Sequence, residues 1–197
     1  MDYEELKKNF ESHGFITKYF ETSEEAKNYL IETIQGRSVG FGGSVSVREM
    51  NLFEALSKKN ATVWHHHIGG DDIKRLASQT KIYITSANGV SKTGEIINID
   101  GAGNRIAMTL FGPEKVYYII GKNKITEDIQ SALYRAKHIA SPKNAQRMKL
   151  KTPCAINGDK CYDCNSPDRI CNCTIIINRG LIGLTTELLF INEDLGY

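Results

Sequence analysis

Between Arg37 and Met50 the chain reads RSVGFGGSVSVREM, with three glycines and three serines crowded between an apolar run and a helix start. Small residues of this kind let main-chain N–H groups approach an anion where a helix begins. The chemistry implied is the binding of a small anion by Gly40, Gly42, Gly43, Ser44 and Ser46, with Arg48 and Glu49 as charged groups beside it. The loop lacks the Gly-Lys-Ser/Thr ending of a P-loop, and Val45 stands where the dinucleotide fingerprint needs its third glycine. It reads as a general anion cradle or, alternatively, as a tight turn packed beneath a helix.

A second polar run, TSANGVSKTGEIINIDGAGNR, follows the apolar KIYI. Ser86, Asn88, Ser91 and Thr93 in it are candidates for ligand contact, and Glu95, Asp100, Asn104 and Arg105 gather around a turn. Carboxylates near an anion cradle suit general acid/base or nucleophilic chemistry when burial or a neighbour tunes them. Glu95, Glu49 and Asp100 are therefore the candidate catalytic residues. An aspartate before Gly-Ala-Gly-Asn serves equally as a turn former, and a glutamate in a first helical turn serves equally to meet the helix dipole.

Five cysteines, Cys154, Cys161, Cys164, Cys171 and Cys173, are spaced C-x6-C-x2-C-x6-C-x-C. Thiolates are soft ligands, so Cys154, Cys161, Cys164 and Cys171 would suit zinc or an iron–sulfur cluster. The spacing matches neither the two-knuckle zinc pattern nor a ferredoxin run, which leaves reduced thiols or a disulfide as the alternative. His65-His66-His67 follows the apolar ATVW, and strand alternation would put His65 and His67 on one face, as metal ligands or as polar edge residues. From Lys137 to Lys151 there are five Lys or Arg and no acid. That stretch reads as a solvated helix face, or as a surface for an acidic partner or the tail of an anionic ligand.

These groups need a scaffold, and periodicity supplies one. Tyr3, Leu6 and Phe10 share a helical face, with Asp2 as N-cap and Gly14 as stop; FITKYF is extended; a second helix runs from Thr22 or Ser23 to Ile34, with Gly36 ending it. Strand, glycine loop, helix (about Val47 to Lys59) and strand follow, and DDIKRLASQ with KIYITSA repeats that order. The alternation predicts α/β architecture with a mostly parallel, Rossmann-like sheet flanked by helices. GEIINID, RIAMTLF and KVYYIIG read as short strands around GAGN and GPE turns, forming an inserted β-hairpin. A helix from Thr126 to about His138, a second short one after Pro142, and the strands TIIIN and ELLFIN close the chain.

The 197 residues suit a single domain, residues 1–197, with the cysteine-rich segment 152–173 inside it. A net charge of +2 is too small to indicate a nucleic-acid partner. The N-terminus carries charges from its second residue, and no run reaches the roughly 18 apolar residues of a membrane span, so a cytoplasmic location without membrane insertion is expected.

Taken in order, VGFGGSVSVREMNL, YITSANGVSKTGEIINIDGAGNRIA, GPEKVYYIIGKNKI, AQRMKLKTPC, CYDCNSPDRIC and NEDLGY resemble the lactate-utilization (LUD) domain family over nearly the whole chain. The resemblance implies the fold shared by glucosamine-6-phosphate deaminase, ribose-5-phosphate isomerase and CoA transferases (NagB/RpiA/CoA transferase-like), with ligands at the strand ends. It implies that Gly42, Gly43, Ser44, Ser46, Asn88, Thr93 and Glu95 face that ligand. It also implies a link to L-lactate oxidation beside iron–sulfur protein partners. The expected function is a small anionic ligand-binding component of that oxidation. The alternative is a free-standing transferase or isomerase acting on CoA esters or sugar phosphates.

Overall fold

The structure, a computed structural model, describes residues 2–67 and 69–197, Asp71 by its backbone alone. In chain order the elements are α1 (Tyr3–Ser12), β1 (Ile16–Phe20), α2 (Ser23–Thr33), β2 (Ser38–Phe41), α3 (Val45–Glu49), α4 (Leu52–Ser57), β3 (Ala61–Val63), α5 (Asp71–Ala77), β4 (Ile82–Thr85), β5 (Gly89–Ser91) and β6 (Ile96–Asp100). They continue with α6 (Asn104–Ala107), β7 (Lys115–Gly121), β8 (Ile125–Thr126), α7 (Ile129–Arg135), α8 (Ser141–Arg147), α9 (Pro153–Asn157), β9 (Cys173–Ile177) and β10 (Thr185–Ile191).

Six strands make one parallel sheet in the order β1-β10-β7-β4-β2-β3. The middle strands are continuous apolar runs because helices or a second sheet cover both faces. On one face Val39, Phe41, Ile84, Tyr117, Ile119 and Leu189 meet Leu30 of α2 and Leu52 and Leu56 of α4. On the other, Val116, Tyr118, Ile120 and Phe190 meet Phe10 of α1 and Val90, Ile96 and Ile177 of the second sheet. That sheet, β8-β5-β6-β9, turns Ile97 and Ile99 outward against Ala132 of α7 and Ala136.

Local capping follows the sequence closely. Asp2 accepts from Glu5 N at the start of α1, and Thr22 and Glu25 form a reciprocal capping box at the start of α2. Three elements depart from expectation. The hairpin turns over residues 92–95, between β5 and β6, rather than at GAGN. RIAMTLF is α6 and a following turn rather than a strand, because Asp100 Oδ1 accepts from both Ala102 N and Gly103 N and folds the chain back there. The helix expected from Val47 to Lys59 is two helices, broken at Asn51, which adopts left-handed φ 51°. Between α7 and α8 a π-helical turn occupies Ala136–Ala140.

Gly40 lies inside β2 rather than in a ligand loop. A Cβ there would stand 2.5 Å from Thr80 Oγ1 and 2.8 Å from the Ala77 carbonyl oxygen, so α5 reaches the sheet only because the side chain is absent. Gly40→Ala is expected to lower stability by about 1–3 kcal/mol in urea denaturation, the usual cost of overpacking against backbone. A loss below about 0.5 kcal/mol would mean that α5 yields at this contact.

Candidate functional site

The carboxyl ends of β2, β4, β7 and β10 lead into one open cavity of about 540 Å³, where ligands of parallel α/β sheets characteristically bind. The loop after β2 contributes Gly43 and Ser44; the chain after β4 contributes Ser86, Ala87 and Asn88; Lys124 comes from beyond β7 and Tyr197 from beyond β10. Arg105 and Asp100 form one wall, while Asn144, Arg147, Arg169 and Asn172 come from the later part of the chain.

Charge is the dominant property of this lining. Six Lys or Arg side chains reach it (Arg48, Lys74, Arg105, Lys124, Arg147 and Arg169), against a single acid, Asp100, among the described residues. Asp100 is already engaged, since Oδ1 takes two backbone N–H groups and Oδ2 lies 3.4 Å from Arg105 Nε. The amides of Gly43, Ser44, Val45 and Ser46 have no hydrogen-bond acceptor among the described residues, whereas Gly42 N is spent on Ile84 O at 3.0 Å. The loop is small because its neighbours fill the space. A Cβ on Gly42 would sit 3.0 Å from Arg105 Cγ, and one on Gly43 would sit 3.1 Å from His66 Nε2.

Lys124 stands at the floor and is 4% exposed. Its Nζ donates to Ser46 Oγ at 2.9 Å, Ser86 Oγ at 2.8 Å and Ala87 O at 3.3 Å. Both hydroxyls place their own protons elsewhere, Ser46 on Leu195 O at 3.1 Å and Ser86 on Ile119 O at 2.6 Å, so three acceptors surround the nitrogen and fit an ammonium. Burial opposes that charge, the Arg135 and Arg105 guanidiniums oppose it further, and Glu49 only partly compensates, bringing the Lys124 pKa down to about 7.

A family model for the LUD domain matches residues 3–186. The chain belongs to the LUD domain family. It is thereby tied, in general terms, to lactate utilization. A DUF162 family protein from Deinococcus radiodurans has a similar structure, with a TM-score of 0.55 at 9% identity over 96% of this chain and 95% of that one. At that identity the likeness concerns fold alone, and it agrees with the mixed α/β, mostly parallel architecture. No curated protein matches the chain significantly.

Within this LUD domain the candidate residues divide. Gly43, Ser44, Arg48, Ser86, Asn88, Asp100 and Asn104 line the cavity. Gly42 and Ser46 lie just behind it as packing and hydrogen-bonding positions, while Gly40 packs inside β2 against α5. Glu49 is turned to the chain end, where Oε2 accepts from Gly196 N at 2.7 Å. Glu95 and Thr93 are outside the lining. They occupy the hairpin tip, where Glu95 Oε2 accepts from Ser91 and Thr93, and the tip is docked on α1 by Asn9 Nδ2 to Lys92 O at 2.7 Å and His13 Nδ1 to Gly94 O at 3.1 Å.

Strand alternation fails for the histidines because β3 ends at Val63. His65 and His66 share the cavity wall, while His67 stacks on Phe53 with ring centroids 4.3 Å apart. Burial lowers both wall imidazoles, with Lys74 acting further on His65, and with His65, Arg147 and Arg48 acting on His66, which reaches about 4. The cysteines are free. Cys154 Sγ is engaged with Thr152 Oγ1 at 3.3 Å and Cys161 Sγ with Asp163 N at 3.3 Å. Among the described residues no three His, Cys, Asp or Glu side chains converge to hold a metal ion. No described helix is long and apolar enough to cross a membrane.

The lysine dictates a pH signature. Its folded pKa of about 7 lies below the ordinary 10.5, so between those values the unfolded chain binds the proton more tightly and stability rises with pH. His65 and His66, lowered from 6.5, give a rise of the same sign at lower pH. Partly buried Tyr29 and buried Tyr83 and Tyr118 are raised above 10.0, so above that pH the unfolded chain loses protons first and stability falls. The urea midpoint of the ligand-free protein is expected to climb from about pH 7 to a maximum between about 9 and 10. A maximum at or below neutrality would show that Lys124 is not held in this state.

Proposed function

We propose that this LUD domain binds a small anionic metabolite, of the CoA-ester or sugar-phosphate class, in the cavity at the carboxyl edge of its parallel sheet. In this reading it acts as the ligand-binding component of L-lactate oxidation beside iron–sulfur protein partners. The observation that carries the reading is the imbalance of charge: among the described residues Arg48, Arg105, Lys124, Arg147 and Arg169 line the cavity against one acid, Asp100, and that acid is already paired with Arg105. The amides of Gly43, Ser44 and Val45, which line the cavity, add three donors with no acceptor among the described residues. The link to lactate oxidation rests on the family alone.

Binding is better supported than catalysis by a carboxylate. Asp100 is occupied by two amides and a guanidinium, Glu49 by Gly196 N, and Glu95 by two hydroxyls outside the lining. A transferase or isomerase acting on CoA esters or sugar phosphates through one of these carboxylates would need that group released.

The test is a thermal-shift panel of CoA, acetyl-CoA, sugar phosphates and L-lactate, followed by titration of whichever compounds raise the melting temperature. Arg147 hydrogen-bonds only Asn144 Oδ1 at 2.8 Å and Tyr197 OH at 2.9 Å, with no carboxylate partner among the described residues. Arg147→Ala is expected to weaken binding roughly tenfold, the scale of one charge-assisted hydrogen bond, and less so at high salt. Glu95→Gln should leave affinity within about twofold, since no lining group depends on it. The reverse pattern, with Glu95→Gln abolishing binding and Arg147→Ala silent, would place the ligand elsewhere.

A further inference from the structure

Lys124 has a feature that its lining role does not require: it is a buried cation with no carboxylate at ion-pair distance among the described residues. Its contacts are the neutral oxygens of Ser46, Ser86 and Ala87. The charged groups around it are Arg105 from α6, Arg135 from α7 and Glu49 from α3. Two of those repel it. Glu49, the one attractive group, has an oxygen bound to Gly196 N. Arg135 is itself committed, donating to Asn123 O at 2.8 Å and to Asn88 O. Folding an unpaired ammonium into this position is costly, and natural chains rarely bury a lysine without a partner.

The cavity supplies the route by which a partner can arrive. Ser86, Ala87 and Lys124 all border it, and the longest of the three lysine contacts is the one to Ala87 O, 3.3 Å. We infer that the counter-ion of Lys124 is the ligand itself, an oxyanionic terminus (carboxylate or phosphoryl-type oxygen) that takes the place of the Ala87 carbonyl at the ammonium. This inference rests on the anion-binding reading of the cavity and assigns one end of the ligand to one residue.

Binding is then linked to protonation. Above about pH 7 the free protein holds Lys124 largely neutral, and an arriving anion restores the charge by drawing in a proton. Below that pH the ammonium is already present and no proton moves. His65 and His66 are lowered below 6.5 and stay neutral throughout the upper range, so they do not mimic the effect.

The experiment is isothermal titration of the full chain with sodium sulfate and, in a second arm, sodium L-lactate. Neither anion titrates near neutrality. Each is run at about pH 7 and about pH 8.5 in pairs of buffers that differ in ionisation heat. At the higher pH, uptake of close to one proton per anion is expected, with affinity roughly tenfold weaker than at the lower pH. Uptake with sulfate alone identifies a phosphoryl-type terminus, and uptake with lactate alone a carboxylate. Lys124→Met should abolish the uptake and weaken binding at least tenfold at about pH 7. Binding without proton uptake in the wild type, or uptake that survives Lys124→Met, overturns the assignment while leaving the cationic cavity in place. No binding of either anion to the wild type overturns both readings. Should Lys124→Met fold poorly, the buffer dependence of the wild type decides alone.

Discussion

The site depends on one buried ammonium held by two serine hydroxyls whose own protons are already placed. Ser46 gives its proton to the Leu195 carbonyl and Ser86 gives its proton to the Ile119 carbonyl, so each hydroxyl can only accept from Lys124. Through these few contacts the helix after β2, the chain after β4, strand β7 and the segment after β10 are tied to the same nitrogen. None of the four can shift without leaving a donor or acceptor unmatched in a poorly solvated place, where such a loss costs on the order of 1–3 kcal/mol. The serine contacts of the cavity floor are therefore matched before any ligand is considered.

Around that floor the glycine loop has a double origin. Its smallness is demanded by packing, since Arg105 and Thr85 crowd Gly42 while His66 crowds Gly43. It also leaves the amides from Gly43 to Ser46 without internal partners. The two readings open in the sequence, anion cradle and packed turn, turn out to be compatible: neighbours press against the glycine Cα positions while the amides that follow remain unspent. Arg105 links the two, lying against Gly42 while donating to Asn98 Oδ1 at 2.5 Å and Ile99 O at 2.6 Å and pairing with Asp100.

Much of the fold is legible in the sequence because local rules and burial agree along most of the chain. The α1 and α2 caps, the strand-loop-helix-strand order and the apolar KVYYIIG strand all follow from periodicity and turn chemistry. RIAMTLF misleads because its apolar spacing suits a short strand, while the deciding interaction, Asp100 capping two following amides, belongs to the residues before it. Glu95 reads as a ligand residue because it is an acid in a polar run. Its true position depends on Gly94 fitting against His13, a contact between residues some eighty positions apart that no local pattern encodes. Lys124 belongs to no motif, yet it carries a positional signal: it follows the central strand directly, and in parallel sheets the residues just past such a strand face the ligand edge. Arg147 is visible only as part of a basic run, and Arg169 is hidden among the cysteines.

That last residue gives the cysteine segment a structural meaning independent of metal. Arg169 donates to Cys164 O at 2.8 Å and Cys171 O at 3.0 Å while its side chain reaches the cavity wall. Asn172 fastens the same stretch to the opposite wall through Asp100 O at 3.1 Å and Gly101 O at 3.1 Å, and Gly101 is small where Ile170 presses on it. With few apolar residues to bury, this segment is held by such polar contacts rather than by a core of its own. The carbonyls that hold Arg169 belong to two of the cysteines themselves, so the segment's backbone positions one of the charges that line the cavity. One guanidinium thus joins the backbone of the cysteine segment to the cavity wall, its Nε buried without an acceptor among the described residues.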